Sequence, residues 1–173
     1  VRGTNVTRAT AYWTNYGVPF YLSSGLVVRG GSSMSLEEGT EMRFAPNTRL
    51  QVSTGGASGE NGTFVASGTP ASPIRMLADS TPWNGVHFDD NAQPGTVLRN
   101  VRIEGFSGTV NGGLRVDSGA APAVVESCLV QSGEGGSVAI YTAGGAAVSS
   151  FQNNVLDAEA LAVNSALPAF SAL

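Results

Sequence analysis

The chain has 173 residues, 23 of them glycine, and charged residues make up only 13% of it. This length suits one domain, and the composition excludes a coiled coil and charge-driven disorder. A formal net charge of −4 argues against binding nucleic acid or an anionic membrane surface, since both need concentrated basic residues. One cysteine, Cys128, and one histidine, His87, exclude an intramolecular disulfide and leave too few ligands for an ordinary zinc site. No run approaches the roughly 20 apolar residues of a membrane span.

Short strands are predicted along the chain, because apolar residues alternate in brief segments bounded by Gly, Ser, Asn, Asp or Pro. In chain order these segments include 26–28, 34–36, 42–44, 50–52, 74–76, 86–88, 101–103, 114–116 and 161–163. No window of a dozen residues carries a sustained apolar stripe of 3.6-residue period. The sequence therefore predicts an all-β fold.

The spacing of the segments predicts a repeat. One set of apolar-x-apolar segments opens at Leu26, Leu50, Val86, Leu114, Ala139 and Leu161, in steps of 22 to 36 residues. Each step holds two further sets, which are Met34, Phe64, Leu98, Val125 and Phe151, then Met42, Ile74, Ile103, Val130 and Leu156. Three strands per repeat predict a parallel β-helix of about six coils, with each strand lying on the equivalent strand of the coil before.

The whole chain, 1–173, is interpreted as a single β-helix domain. Residues 1–20 are expected to form an N-terminal edge or cap, and 161–173 a last coil that is truncated or continued by a partner. The longest step contains a Gly-rich segment, 53–63, which we expect to bulge out as a loop.

A Greek-key sandwich also has closely spaced strands and is the structural alternative. It does not explain why VLRNVRI (97–103) matches VVESCLV (124–130) position by position, with SFQNNVL (150–156) following 26 residues later. In this register Leu98, Val125 and Phe151 form one inward column, and Ile103, Val130 and Leu156 form another. The same register aligns Asn100, Ser127 and Asn153, which we expect to stack at one corner and to hydrogen-bond the backbone and each other from coil to coil.

Several phrases of the sequence carry a family resemblance. They run from Phe20 to Val28, from Leu36 to Thr40, from Gly62 to Thr69, through Pro73-Ile74, and from Trp83 to Phe88. In these phrases the chain resembles extracellular right-handed parallel β-helix repeat proteins of bacteria, and distantly the pectate-lyase-like superfamily. The resemblance implies a right-handed coil and an extracellular or cell-surface location in a bacterium. It implies activity only weakly, because one fold hosts many functions.

Pectin-degrading β-helices of the lyase type hold Ca²⁺ on acidic side chains, and the hydrolase type uses several aspartates with Gly-His-Gly and Arg-x-Lys segments. The chain has an Asp89-Asp90 pair, but it lacks Gly-His-Gly and contains no lysine. No catalytic residue is therefore assigned, and the balance favours a protein that is not an enzyme. Asp89, Asp90 and Asn91 form either a weak Ca²⁺ site or simply the turn that ends a strand. Ca²⁺ is the one cofactor that the sequence suggests.

Four residues are candidates for ligand binding: Trp83, His87, Asp89 and Asp90. Trp83 and His87 could present an aromatic surface to a sugar ring, or Trp83 could pack at a coil corner.

Three functions follow as hypotheses. The first is a non-catalytic secreted or cell-surface module with a structural, adhesive or glycan-contacting role. The second is a polysaccharide lyase or glycoside hydrolase that uses Asp89, Asp90 and Asp117. The third is head-to-tail self-assembly into filaments through open sheet edges. The expected partners are accordingly a polysaccharide or cell-surface glycan, or other copies of the chain.

Overall fold

The structure is a computed structural model that describes residues 4–54, 60–108, 112–122, 124–134, 137–144, 146, 148–158 and 160–163. The described residues form strands and no helix, so none of them contributes a helix that could cross a membrane. The strands are β1 (Thr4–Thr7), β2 (Thr10–Trp13), β3 (Phe20–Leu22), β4 (Leu26–Arg29), β5 (Ser32–Leu36), β6 (Glu41–Phe44), β7 (Leu50–Val52), β8 (Gly62–Ser67), β9 (Ile74–Ala78), β10 (Val86–Phe88), β11 (Val97–Arg99), β12 (Val101–Phe106), β13 (Leu114–Val116), β14 (Val124–Glu126), β15 (Leu129–Ser132), β16 (Val138–Thr142), β17 (Ser150–Gln152), β18 (Val155–Asp157) and β19 (Ala160–Val163).

These strands form three parallel sheets. The first sheet has the order β1-β4-β7-β10-β13-β16-β19, the second β2-β5-β8-β11-β14-β17, and the third β3-β6-β9-β12-β15-β18. Each strand thus pairs with the strand three places further along the chain, and the chain visits the three sheets in turn. We call three successive strands, one from each sheet, a coil. This regular stacking is consistent with a parallel β-helix solenoid, and none of the described pairs is antiparallel, as a Greek-key sandwich would require.

The predicted inward columns are confirmed. Leu98 pairs with Val125 and Val125 with Phe151, and all three are buried. Ile103, Val130 and Leu156 are likewise in register across three strands of the third sheet. Burying one such side chain stabilises the fold by about 1.5–3 kcal/mol, so these columns are the main source of stability.

One expected partner in the first sheet is wrong by a single residue. Ile140, not Ala139, lies opposite Leu114. Val138, Ala139 and Ile140 are all apolar and buried, so this part of β16 shows no alternation of apolar and polar residues. The sequence therefore does not indicate which of its residues point inward.

Two partners in the second and third sheets are shifted by two residues. The pairs are Leu98 with Ala66 instead of Phe64, and Ile103 with Met76 instead of Ile74. A shift of two keeps the same face of a strand inward, because side chains alternate with a period of two. Both expected residues are therefore still buried, in neighbouring columns.

The Gly-rich segment 53–63 is described only at its two ends, because 55–59 lie outside the described residues. The ends are joined where Thr54 Oγ1 donates to the Glu60 carboxylate at 2.9 Å. The Ser53 hydroxyl lies 2.7 Å from the Glu60 carbonyl oxygen, and Arg29 forms an ion pair with the Glu60 carboxylate at 3.5 Å. Residues 1–3 and 164–173, parts of the expected terminal segments, also lie outside the described residues.

Candidate functional site

Trp83 precedes β10, and its indole ring is fully buried. The ring stacks on Phe44, with 4.1 Å between centroids and 13° between planes. Its Nε1 donates to the Glu104 carbonyl oxygen at 2.9 Å. Trp83 is thus placed as a corner-packing residue, and its indole offers no open face to a ligand.

His87 lies on the outer face of the first sheet, between the inward-pointing Val86 and Phe88. Its neighbours across the sheet are Gln51 and Arg115, and only 2% of the residue is exposed. Nε2 donates to the Asn84 carbonyl oxygen at 2.9 Å. Burial, together with the charge of Arg49, lowers the pKa of His87 to about 4. The imidazole is therefore neutral at neutral pH.

The structure brings Asp89 and Asp117 together, although 28 residues separate them. They follow the paired strands β10 and β13, where the Asp117 amide donates to the Phe88 carbonyl oxygen at 2.9 Å. The two residues therefore follow directly opposed positions, Phe88 and Val116, and the Gln51 amide donates to the Asp89 carboxylate. Burial, and secondarily the charge of Asp117, raises the pKa of Asp89 above its usual range.

Asp90 and Asn91 belong to a turn rather than to this carboxylate pair. The Ser53 hydroxyl lies 2.6 Å from the Asp90 carbonyl oxygen, and Asn91 is exposed with a left-handed φ of 74°. The turn is closed by the Ala92 amide, which donates to the Asp89 carbonyl oxygen at 3.0 Å. Within the described ranges, no three His, Cys, Asp or Glu side chains are grouped so that they could hold a metal ion.

Arg115 and Tyr141 extend the row of outward side chains beyond Asp117. Arg115 Nε donates to Asp117 Oδ1 at 2.7 Å, and the guanidinium carbon lies 5.3 Å from the Tyr141 ring centroid. Such a distance is typical of a cation–π contact. We call the outward side chains of these strands the polar face; they are Gln51, His87, Asp89, Arg115, Asp117 and Tyr141.

A cleft adjoins the polar face at the corner where the third sheet leads into the first. Its volume is about 500 Å³, and its lining residues are Ser23, Ser24, Leu26, Val27, Asn47, Thr48, Arg49, Gln51 and Asn84. Gln51 belongs to both the cleft and the polar face. Its side-chain oxygen accepts a hydrogen bond from Arg49 Nε at 3.1 Å, while its amide donates to Asp89. Neither Arg49 nor Gln51 was a candidate from the sequence, although the register of Leu50 with Val86 places Gln51 beside His87.

The predicted corner column lies between the second and third sheets. Asn100, Ser127 and Asn153 occupy equivalent positions and share a left-handed backbone, with φ of 48°, 53° and 55°. Asn100 is half-buried, and its Nδ2 donates to the Gly68 carbonyl oxygen at 3.0 Å. Ser127 and Asn153 are exposed. The shared property of the column is thus its backbone conformation, which Asn adopts more readily than most residues.

Asn154, rather than Asn153, makes the side-chain bridge between two neighbouring coils. Its Oδ1 accepts from the Cys128 amide and its Nδ2 donates to the Val125 carbonyl oxygen, both at 2.9 Å. The Asn-Asn doublet in the sequence was the available signal. The buried Cys128 thiol nearby has a pKa raised to about 11 by desolvation, so it is not a reactive thiolate.

No protein-family model, curated protein or solved structure matches the chain. Functional interpretation therefore depends on the polar face and the cleft.

Proposed function

We propose that the chain is a non-catalytic right-handed parallel β-helix module of a secreted or cell-surface bacterial protein, and that its polar face contacts glycans. One observation carries this proposal. Four successive strands of the first sheet present an amide, two carboxyl groups and a guanidinium beside a tyrosine ring, all on one outer face. The right-handedness and the location follow from the sequence resemblance alone.

These side chains have the chemistry that a sugar requires. Carboxylates accept from hydroxyl groups, whereas amides and guanidinium groups donate to hydroxyl and ring oxygens. An aromatic ring adds an apolar surface with a polar edge. Because hydrogen bonds from Gln51 to Asp89 and from Arg115 to Asp117 already orient these side chains, little conformational freedom is lost when a ligand binds.

The same geometry argues against glycoside hydrolysis. Hydrolases of the common type separate their two carboxyl groups by about 5–5.5 Å or about 6.5–9.5 Å, so that the sugar or a water fits between them. Asp89 and Asp117 are instead each bound by a neighbouring side chain, Asp89 by the Gln51 amide and Asp117 by Arg115 Nε at 2.7 Å. His87 is buried, neutral and engaged with Asn84, so it is not available as a general acid or base.

The third sheet provides a matched control for testing the polar face. There Gln131 Nε2 donates to the Asp157 carboxylate at 2.8 Å, a cross-strand Gln–Asp pair like that of Gln51 and Asp89. Binding to an array of neutral and acidic oligosaccharides is measured for the wild type, Asp89→Asn and Asp157→Asn. We expect Asp89→Asn to weaken binding and Asp157→Asn to leave it unchanged.

Three outcomes would overturn the proposal. If the wild type binds no glycan, or if the two variants weaken binding equally, the polar face is not the contact surface. If reducing-end or unsaturated-product assays show turnover that Asp89→Asn abolishes, the chain is a polysaccharide hydrolase or lyase.

Self-association is a second candidate, favoured by the surface of the first coil. Large apolar side chains are exposed there, namely Tyr12 (62%), Tyr16 (75%), Val18 (65%) and Tyr21 (44%). The adjacent strands β2 and β3 lie at the edges of their sheets, and such edges can pair with another chain. Sedimentation velocity over a range of concentrations tests this candidate, and a constant monomeric value would refute it.

A further inference from the structure

The cleft beside the polar face has the dimensions of a ligand site. Its volume of about 500 Å³ falls within the range of roughly 300–1,000 Å³ usual for small-molecule pockets. Val27 supplies an apolar surface, while hydroxyl and amide side chains such as Ser23 and Asn47 line the rest. This mixture suits a polyhydroxylated ring with one apolar side.

Arg49 gives the cleft a positive charge that forms no ion pair with a carboxylate of the described residues. Of the arginines in the described ranges, all but Arg8 and Arg49 lie within 4.0 Å of a carboxylate oxygen. Asp89 is near enough to feel the charge of Arg49 but forms no ion pair with it. Arg49 is exposed, and its Nε is engaged with Gln51, which leaves the two terminal nitrogens for a ligand.

We infer that the cleft binds a singly charged acidic sugar unit, whose anionic group pairs with the Arg49 guanidinium. This inference rests on the proposed glycan-contacting function and specifies its ligand class. A guanidinium matches the planar, two-oxygen geometry of a carboxylate, and Gln51 restricts its orientation by holding Nε. The hydroxyl groups of the sugar then face the polar side chains of the cleft.

The charged side chains around the cleft favour a glycan that carries few negative charges. One guanidinium compensates one negative charge, and neighbouring His87 is neutral at neutral pH. The carboxyl groups of Asp89 and Asp117 on the polar face, and the overall charge of −4, oppose a dense polyanion. A polymer with one carboxylate per disaccharide is therefore favoured over one with several sulfates per sugar.

The test uses hyaluronan oligosaccharides, which carry one carboxylate per disaccharide, and the same oligosaccharides after reduction of the carboxyl groups to alcohols. Dextran sulfate and dextran form a second, densely charged pair. Isothermal titration calorimetry compares the wild type with Arg49→Gln, Arg49→Lys and the control Arg8→Gln, which removes the other described arginine that has no ion pair.

We expect the wild type to bind hyaluronan about tenfold more tightly than its reduced form, the lower end for a charge-assisted hydrogen bond. Arg49→Gln should remove this preference, Arg49→Lys should keep part of it, and Arg8→Gln should leave it unchanged. The preference should also shrink as NaCl is raised, because salt screens exposed charges.

The possible failures are distinguishable. Equal binding of hyaluronan and its reduced form, or an equal effect of Arg49→Gln and Arg8→Gln, overturns the assignment of Arg49 but leaves glycan contact standing. Stronger binding of dextran sulfate than of hyaluronan overturns the preference for sparse charge. If none of the four ligands binds, the assignment of the cleft as a glycan site is wrong. If the oligosaccharide array is also negative, the proposed glycan-contacting function is wrong as well.

Discussion

Leu98→Ala tests the energetics of the inward columns. Leu98 is fully buried in β11 and is flanked on adjacent strands by Ala66 and Val125. The change removes three carbon groups, which costs roughly 2.5 kcal/mol of transfer free energy at about 0.8 kcal/mol each. Ala66 is too small to fill the cavity that remains, so a cavity term adds to this cost. We expect the free energy of unfolding to fall by about 3–4 kcal/mol, within the usual range for Leu→Ala.

The adjacent residue, Val97, is the matched control. It belongs to the same strand but points outward and is only half-buried, so Val97→Ala should cost less than about 1 kcal/mol. Urea unfolding followed by circular dichroism measures both variants, with comparable m-values required for the comparison. Equal effects of the two changes, or a loss below about 1 kcal/mol for Leu98→Ala, would refute the assignment of the interior column.

Three further predictions concern titration and backbone conformation. Because the pKa of His87 is lowered to about 4 in the folded chain, the unfolded chain binds a proton more readily. The free energy of unfolding should therefore fall by roughly 3 kcal/mol as pH drops from about 6.5 towards 4. Unfolding measured at several pH values should show a flatter profile for His87→Gln than for the wild type, and an unchanged profile would contradict the burial of the ring. The raised pKa of Asp89 has the opposite sign, since stability is lost as pH rises through it. Asp89→Asn should therefore be more stable than the wild type at pH 7, and thermal melts that show it less stable would argue against this. At Asn100, which has a φ of 48°, substitution by Val or by Gly removes the hydrogen bond to Gly68, but only Val is strained in this backbone conformation. Asn100→Val should therefore be about 1–3 kcal/mol less stable than Asn100→Gly. Equal unfolding midpoints of the two variants would contradict a left-handed backbone at this corner.

The sequence predicted the repeat because its glycine-bounded segments keep their spacing where the coils are short. Val97–Ile103 and the two later copies have equal strand and corner lengths, so Leu98, Val125 and Phe151 could be aligned directly. Alignment failed where apolar residues occupy consecutive positions, as at Val138–Ile140, since both faces then look alike. It also failed at Ala66, because alanine contributes a weak apolar signal.

The candidate site was only partly predictable. Asp89 and Asp117 were named together as acids of a hydrolase or lyase, and their position side by side depends on a cross-strand register that the sequence suggests but does not fix. The burial of His87 could not be read from the strand pattern, because alternation places this residue on the outer face of the sheet, where most side chains are exposed. Arg49 lies just before a strand. It became a candidate because it forms no ion pair with a carboxylate of the described residues, and this depends on the three-dimensional arrangement rather than on the local sequence.

The direction and register of strand pairing test the fold most directly. A three-dimensional NOESY spectrum of the labelled protein records contacts between amide and α protons of β11 and β14. The structure requires parallel order, in which Val97 lies opposite Val124, Leu98 opposite Val125 and Arg99 opposite Glu126. Contacts in the reverse order, with Val97 opposite Glu126, would show antiparallel layers and contradict the stacked coils on which the polar face and the cleft depend.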